Sequence, residues 1–157
     1  MPDSKKLAQS LQALLDAAAT LNSRSDMINA TLQAVETQII ESHLGLEAWL
    51  EAGEHRLVVR SGGLDASGCA QRAYVELGFA RLADGWHLAA REWQVDIDTD
   101  GDETNAVLIR APYPLAQASR MERIAALRVL PDLNWTLQGA ALLAIQTIDE
   151  AQKSIAC

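Results

Sequence analysis

LAQSLQALLDAAATLNSRSDMINATLQAVETQI, residues 7–39, keeps an apolar position every three or four residues and contains neither glycine nor proline. The repeating positions are Leu7, Leu11, Leu14, Ala18, Leu21, Ser25, Ile28, Leu32, Val35 and Ile39, and only Ser25 is polar. Steps of four and three alternate, averaging about 3.5 residues, the period of helices wound around one another. Such a ridge needs a second helix to cover it. The spacing predicts a helix from Asp3 or Ser4, either of which can cap it, to about Ser42, a length of ~55 Å at 1.5 Å per residue. A hairpin broken at residues 22–26 is the alternative. The seam holds its phase there and the glycine usual in such a turn is missing, so one helix is expected.

Beyond this helix the period falls to two. Leu46, Ala48 and Leu50 alternate with polar or aromatic neighbours, a turn at Gly53-Glu54-His55 leads to Leu57-Val58-Val59, and Val75, Leu77 and Phe79 alternate with Tyr74, Glu76 and Gly78. Ala83-Asp84-Gly85 reads as a hairpin turn into Trp86, Leu88 and Ala90. Val95 and Ile97 continue on the opposite parity, which predicts a bulge near Arg91 to Trp93. Asp100-Gly101 marks another turn, and Ala106 to Arg110 a last strand. Short connections imply an antiparallel meander of about five strands over residues 45–111. Ser61 to Gly68 has the composition of a flexible linker, and Pro112-Tyr113-Pro114 is expected to end the sheet.

Ser119 and Glu122 form a capping box for the helical region at residues 118–156. Pro131 predicts either a kink or a new segment there. Leu133, Leu137, Ala141, Ala144, Ile148, Ala151 and Ile155 form its main seam, and Trp135, Gly139 and Leu142 a second stripe on another side. A helix apolar on two sides must be covered on two sides. Residues 1–43, 45–111 and 118–156 thus assemble as one α+β domain over residues 1–157: long helix, meander, kinked long helix packing with the first.

The chain carries 13 Lys and Arg against 21 Asp and Glu, a formal net charge of −8. Acidity on this scale disfavours binding to nucleic acid and to anionic membranes. The opening Lys5-Lys6 and Ala/Leu run superficially follow a signal peptide, but Gln9, Gln12 and Asp16 fall at amphipathic-helix spacing. Cys69 and Cys157 form no ligand or disulfide pattern, so a reducing, cytoplasmic compartment is expected.

Asp96-x-Asp98-x-Asp100-Gly101-Asp102 is the sharpest motif. Carboxylates at alternate positions before a glycine match the first half of an EF-hand-like calcium loop. The match stops after seven residues: Glu103 and Val107 stand where an apolar residue and a bidentate Glu belong, and the flanks read as strands. The competing reading is an acidic hairpin tip. No cofactor other than calcium is suggested. Cys69, His43, His55 and His87 form no recognisable nucleophile pair, and neither a phosphate loop nor a GxSxG setting is present.

Trp49, Arg60, Tyr74, His87, Arg91 and Trp93 fall on one parity of the meander, together with Glu47 and Glu76. Aromatics mixed with arginine are typical of binding surfaces. The expectation is therefore a non-enzymatic, homo-oligomeric interaction protein, a dimer in its simplest form, assembled through Leu7, Leu11, Leu14, Leu21, Ile28, Leu32, Val35, Ile39, Trp135, Gly139 and Leu142. Another protein as partner is the further option; the alternatives are a calcium-binding module through Asp96, Asp98, Asp100 and Asp102, and an enzyme of unidentified class with a site at the sheet face and the Gly-rich loop. In size, acidity and mixed make-up the chain is similar to small dimeric chaperones that hold bacterial secretion substrates, although these do not usually begin with so long a helix.

Overall fold

The structure is a computed structural model that describes residues 4–51 and 55–155. Asp3, Gly53, Glu54 and Cys157 lie outside the described residues. The seam is one helix, α1 (Ser4–Glu41), continuous through residues 22–26. His43, at φ 52°, then reverses the chain into the sheet. Five strands follow: β1 (Ala48–Trp49), β2 (Val58–Leu64), β3 (Ala70–Leu82), β4 (Gly85–Ile97) and β5 (Glu103–Pro114). A 3-10 turn at Leu115–Gln117 leads to α2 (Arg120–Ile155). Two long helices and a five-stranded antiparallel sheet make the fold α+β, as the change of period predicts.

β3 and β4 are the frame. They pair without a slip from Leu82 opposite Gly85, across the two-residue turn at Ala83-Asp84, to Ala70 opposite Ile97. β1 and β2 both lie along the other side of β3, in line with one another: Ala48 faces Phe79 and Val58 faces Val75. The meander therefore opens with two segments sharing one edge. Ser61–Leu64, expected in a linker, is the second half of β2, and only residues 65–69 turn.

The irregularity expected at Arg91 to Trp93 occurs at that level, but in the facing strand. Ala90 lies opposite Tyr113 and Asp96 opposite Thr104, so six steps along β4 are matched by nine along β5. β4 is paired on both sides and cannot bulge without breaking the ladder to β3. The extra residues go to the edge strand, whose outer side is free to distort. Val95 and Ile97 change parity because they point to the other face of the sheet. The same free edge lets β5 run through Pro112 to Pro114 where an end of the sheet was expected, because a missing N–H costs nothing on the unpaired side.

Val75, Leu77, Phe79, Leu88 and Ala90 form the inner face of the sheet and pack with Leu32 of α1 and Ala126, Leu130, Leu133 and Leu137 of α2. Phe79 and Trp86 stack with ring centres 5.3 Å apart. Pro131 lies inside α2, so the second helical region is a single helix. Past the end of β5, the Leu88 N–H donates to the Glu36 carboxylate of α1 at 2.7 Å, which gives an unpaired strand group a partner.

The predicted capping box is present. The Ser119 N–H donates to Glu122 Oε2 at 2.7 Å, and the Glu122 N–H donates to Ser119 Oγ at 3.3 Å. Glu122 Oε1 accepts from Arg60 Nη2 at 2.7 Å, which ties the start of α2 to β2. A buried carboxylate thus serves helix and sheet together. Glu122→Ala removes the cap and leaves Arg60 without this partner. The expected loss is about 2 kcal/mol, read as a lower midpoint in urea with an unchanged slope.

Candidate functional site

The seam meets two different environments along its length. Leu32 is 6% exposed, and Ile28, Val35 and Ile39 pack against the core. Ser25, the polar seam residue, is buried and donates its hydroxyl to the Leu21 carbonyl at 2.8 Å, so it brings no unpaired group inside. N-terminal to it, Leu7, Leu11, Leu14 and Leu21 stand in solvent, Leu11 at 51% and Leu14 at 64% exposure. α2 does the reverse. Its first half is in the core through Leu137, while Leu142, Leu143, Ile145, Ile148 and Gly139 are exposed. Trp135, 72% exposed, edges a shallow hollow with Trp49, His55 and Asp132. The helices thus pack with each other and the sheet over one half each, and the pairing residues fall into a covered set and an uncovered set.

The outer face of the sheet, away from the helices, brings together Trp49, Tyr74, Arg91 and Trp93 of the expected partner surface. Strand parity places Trp49 opposite Gly78, and Glu76 opposite Arg91. A Cβ on Gly78 would overlap the Trp49 ring, so the glycine is what lets the indole lie flat on the strand. Arg91 then lies between two rings, its guanidinium carbon 4.1 Å from the Trp49 centre and 5.2 Å from that of Trp93. Buried Glu76 accepts from Arg91 Nε and Trp93 Nε1, both at 2.8 Å. Next to this stack, Arg56 covers the Tyr74 ring at 3.9 Å and pairs with Glu103, which also accepts from Arg72 at 3.2 Å. Burial of its ring, before the nearby Glu76 charge, raises the Tyr74 pKa. This face is a tiled layer of aromatics, arginines and carboxylates lying on one another, in which Arg56 Nε alone of the layer's buried polar side-chain atoms among the described residues has no hydrogen-bond partner.

Arg60 and His87 are not in that layer. Arg60 lies opposite Ala73, on the helix side, and reaches Glu122 and Glu92. The bulge between Ser61 and Gly63 is downstream of it; the parity count from sequence failed in the segment between β1 and β2, which follow separate stretches of β3. His87 sits at the start of β4, its Nε2 3.0 Å from Asp84 Oδ1 and its Nδ1 3.4 Å from Glu36 Oε1. It lines a cleft of about 440 Å³ with Leu32, Glu36, Leu115, Gln117 and Arg123. Carboxylates at both ring nitrogens orient the imidazole between α1 and the β3–β4 turn.

The Asp96–Asp102 motif forms the β4–β5 turn. Asp98 Oδ1 accepts the N–H groups of Asp100 at 3.0 Å and Asp102 at 2.8 Å. Asp96 is held by Gln71 and Asn105, both at 3.1 Å. The β2–β3 turn repeats this device: Asp65 Oδ1 accepts the N–H groups of Ser67 and Cys69, each at 2.8 Å. Gly68 (φ 85°) and Gly101 (φ 87°) occupy the same left-handed position in the two turns. The hydroxyl of Ser67, ahead of the Cys69 and Ser67 N–H groups, holds the Asp65 pKa below its ordinary value. The Asp98 and Gly101 of this motif do the same turn chemistry as Asp65 and Gly68 in Asp65-Ala66-Ser67-Gly68-Cys69, which carries a single acid. Among the described residues, no three His, Cys, Asp or Glu side chains are grouped so that they could hold a metal ion.

No family model, curated protein or solved structure matches this chain. Among the described residues, no helix is long and apolar enough to cross a membrane.

Two substitutions test the tiled face. Gly78→Ala forces Trp49 off the sheet; the expected result is a loss of about 1–3 kcal/mol, with a red shift of tryptophan emission. Hydrogen bonding from Arg56, followed by the charges of Arg56 and Arg72, lowers the Glu103 pKa. A lowered native value contributes stability above the ordinary value near 4.5, and that contribution is lost as pH falls through the native one. Glu103→Gln should therefore narrow the gap between the melting temperatures at pH 7 and pH 3, measured by circular dichroism.

Proposed function

We propose that this chain is a non-enzymatic interaction protein that assembles copies of itself through its two uncovered helix halves, forming a scaffold or a chaperone-like adaptor. The observation that carries this reading is the solvent exposure of Leu7, Leu11, Leu14, Leu21, Leu142, Leu143 and Ile148 on helices whose remaining halves are well packed. Covering a half-exposed leucine or isoleucine is worth roughly 1 kcal/mol. Seven such side chains per copy supply on the order of 7 kcal/mol, the scale of the freedom lost on association. Isolated large side chains on a surface carry no such meaning, but a continuous ridge over several turns does. The tiled outer face supports the same reading, since its carboxylates, Glu76 and Glu103, are committed to Arg91, Trp93, Arg56 and Arg72 and not held ready for proton transfer.

Light scattering at micromolar concentration should give at least twice the 17.0 kDa of one chain. Leu11→Glu with Leu14→Glu should reduce the mass to that of one chain while the near-ultraviolet dichroism of the sheet tryptophans persists. A single-chain mass for the unaltered protein defeats the proposal.

A further inference from the structure

The two uncovered halves cannot cover each other within one chain. That of α1 runs to Arg24, next to Asn22, whose Oδ1 accepts from Arg120 at the very start of α2. That of α2 begins only after Leu137, about 25 Å further along the helix at 1.5 Å per residue. Each half must find its cover on another molecule, and each is of similar length, residues 5–24 and residues 138–155.

Their charges differ in sign. In a chain of net charge −8, residues 5–24 carry Lys5, Lys6 and Arg24 against Asp16, whereas residues 138–155 carry Asp149 and Glu150 against Lys153. Pairing each half with its own kind sets like against like. Resting on the assembly proposed above, we infer that the free half of α1 in one copy packs antiparallel on the free half of α2 in a second copy. The seams agree in that direction. Leu14, Leu11 and Leu7 step by three and four, as do Ala141, Ala144 and Ile148, so Leu14 meets Ala141, Leu11 meets Ala144 and Leu7 meets Ile148. Two leucines thus lie over alanines, which lets the helices approach closely.

In this register the basic end of one half, with Lys5 and Lys6, lies alongside the acidic end of the other, with Asp149 and Glu150, and the two helix dipoles oppose. A parallel arrangement of the same seams, with Leu7 at Ala144 and Leu11 at Ile148, leaves Asp149 and Glu150 beside Gln12 and Ala13. The antiparallel crossing is reciprocal. Two copies related by a two-fold axis make it twice and cover the Leu7–Leu14 ridge and the Ala141–Ile148 ridge of both.

The test mixes two full-length proteins, one with Leu11→Cys and one with Ala144→Cys, both also carrying Cys69→Ser and Cys157→Ser. After mixing under exchange conditions and oxidation, the expected product is the disulfide between Leu11→Cys and Ala144→Cys chains, in an assembly of at least two-chain mass. An assembly of that mass that gives no mixed disulfide, or that links the Leu11→Cys chains to one another, overturns the antiparallel crossing and leaves self-assembly standing. A single-chain mass for the unaltered protein overturns both.

Discussion

The unslipped ladder between β3 and β4 is the constraint on which the rest of this molecule depends. Side chains alternate across a strand, so one register assigns every residue of both strands to a face. Val75, Leu77, Phe79, Leu88 and Ala90 fall on the side the helices cover. Tyr74, Glu76, Gly78, Arg91 and Trp93 fall on the other. A shift by one residue would put Glu76 and Arg91 into the core and strand Leu77 and Phe79 in water. The distortions of the sheet are accordingly displaced outward, into β5 on one side and into the separate pieces β1 and β2 on the other.

The two faces are closed by different physics. The inner one is closed by burial of aliphatic side chains, which is strong and nondirectional. The outer one is closed by rings and guanidinium planes lying flat, with Glu76 and Glu103 fixing them by hydrogen bonds. Such a layer depends on each member: Gly78 supplies the flat seat, Trp49 the lid, and Glu76 the charge that keeps Arg91 in place. Four carboxylates, those of Glu36, Glu76, Glu103 and Glu122, thus act as connectors between elements, in a chain whose acidity by itself points only to a solvated surface.

Periodicity made the architecture legible. The 4-3 seam reads as α1, alternation reads as the strands, and Ser119 with Glu122 reads as the start of α2, because each signal lies within a few residues of sequence. What covers a seam does not. Leu11 and Leu32 occupy equivalent positions in one repeat, yet the first stands in solvent and the second in the core, because the sheet reaches only half of the helix. Arg60 departs from its expected face for a related reason: parity holds along a strand but not across the gap between β1 and β2. Trp49, Tyr74, Arg91 and Trp93 could be grouped from parity alone. Their cement could not, since Arg56 and Glu103 are 47 residues apart and no local pattern joins them. The acidic motif is ambiguous in the opposite way, because a turn and a cation loop call for the same residues at the same spacing.

The borders of the sheet carry one more consequence. Along one margin β5 is broken by bulges and carries Pro112, and along the other β1 ends after two residues before β2 begins. Neither margin offers the long, regular row of backbone donors and acceptors on which a foreign extended segment could be templated. Growth by adding strands is thereby discouraged at both rims, and contact with other molecules is left to side chains, whose pattern can discriminate between partners as a bare peptide backbone cannot.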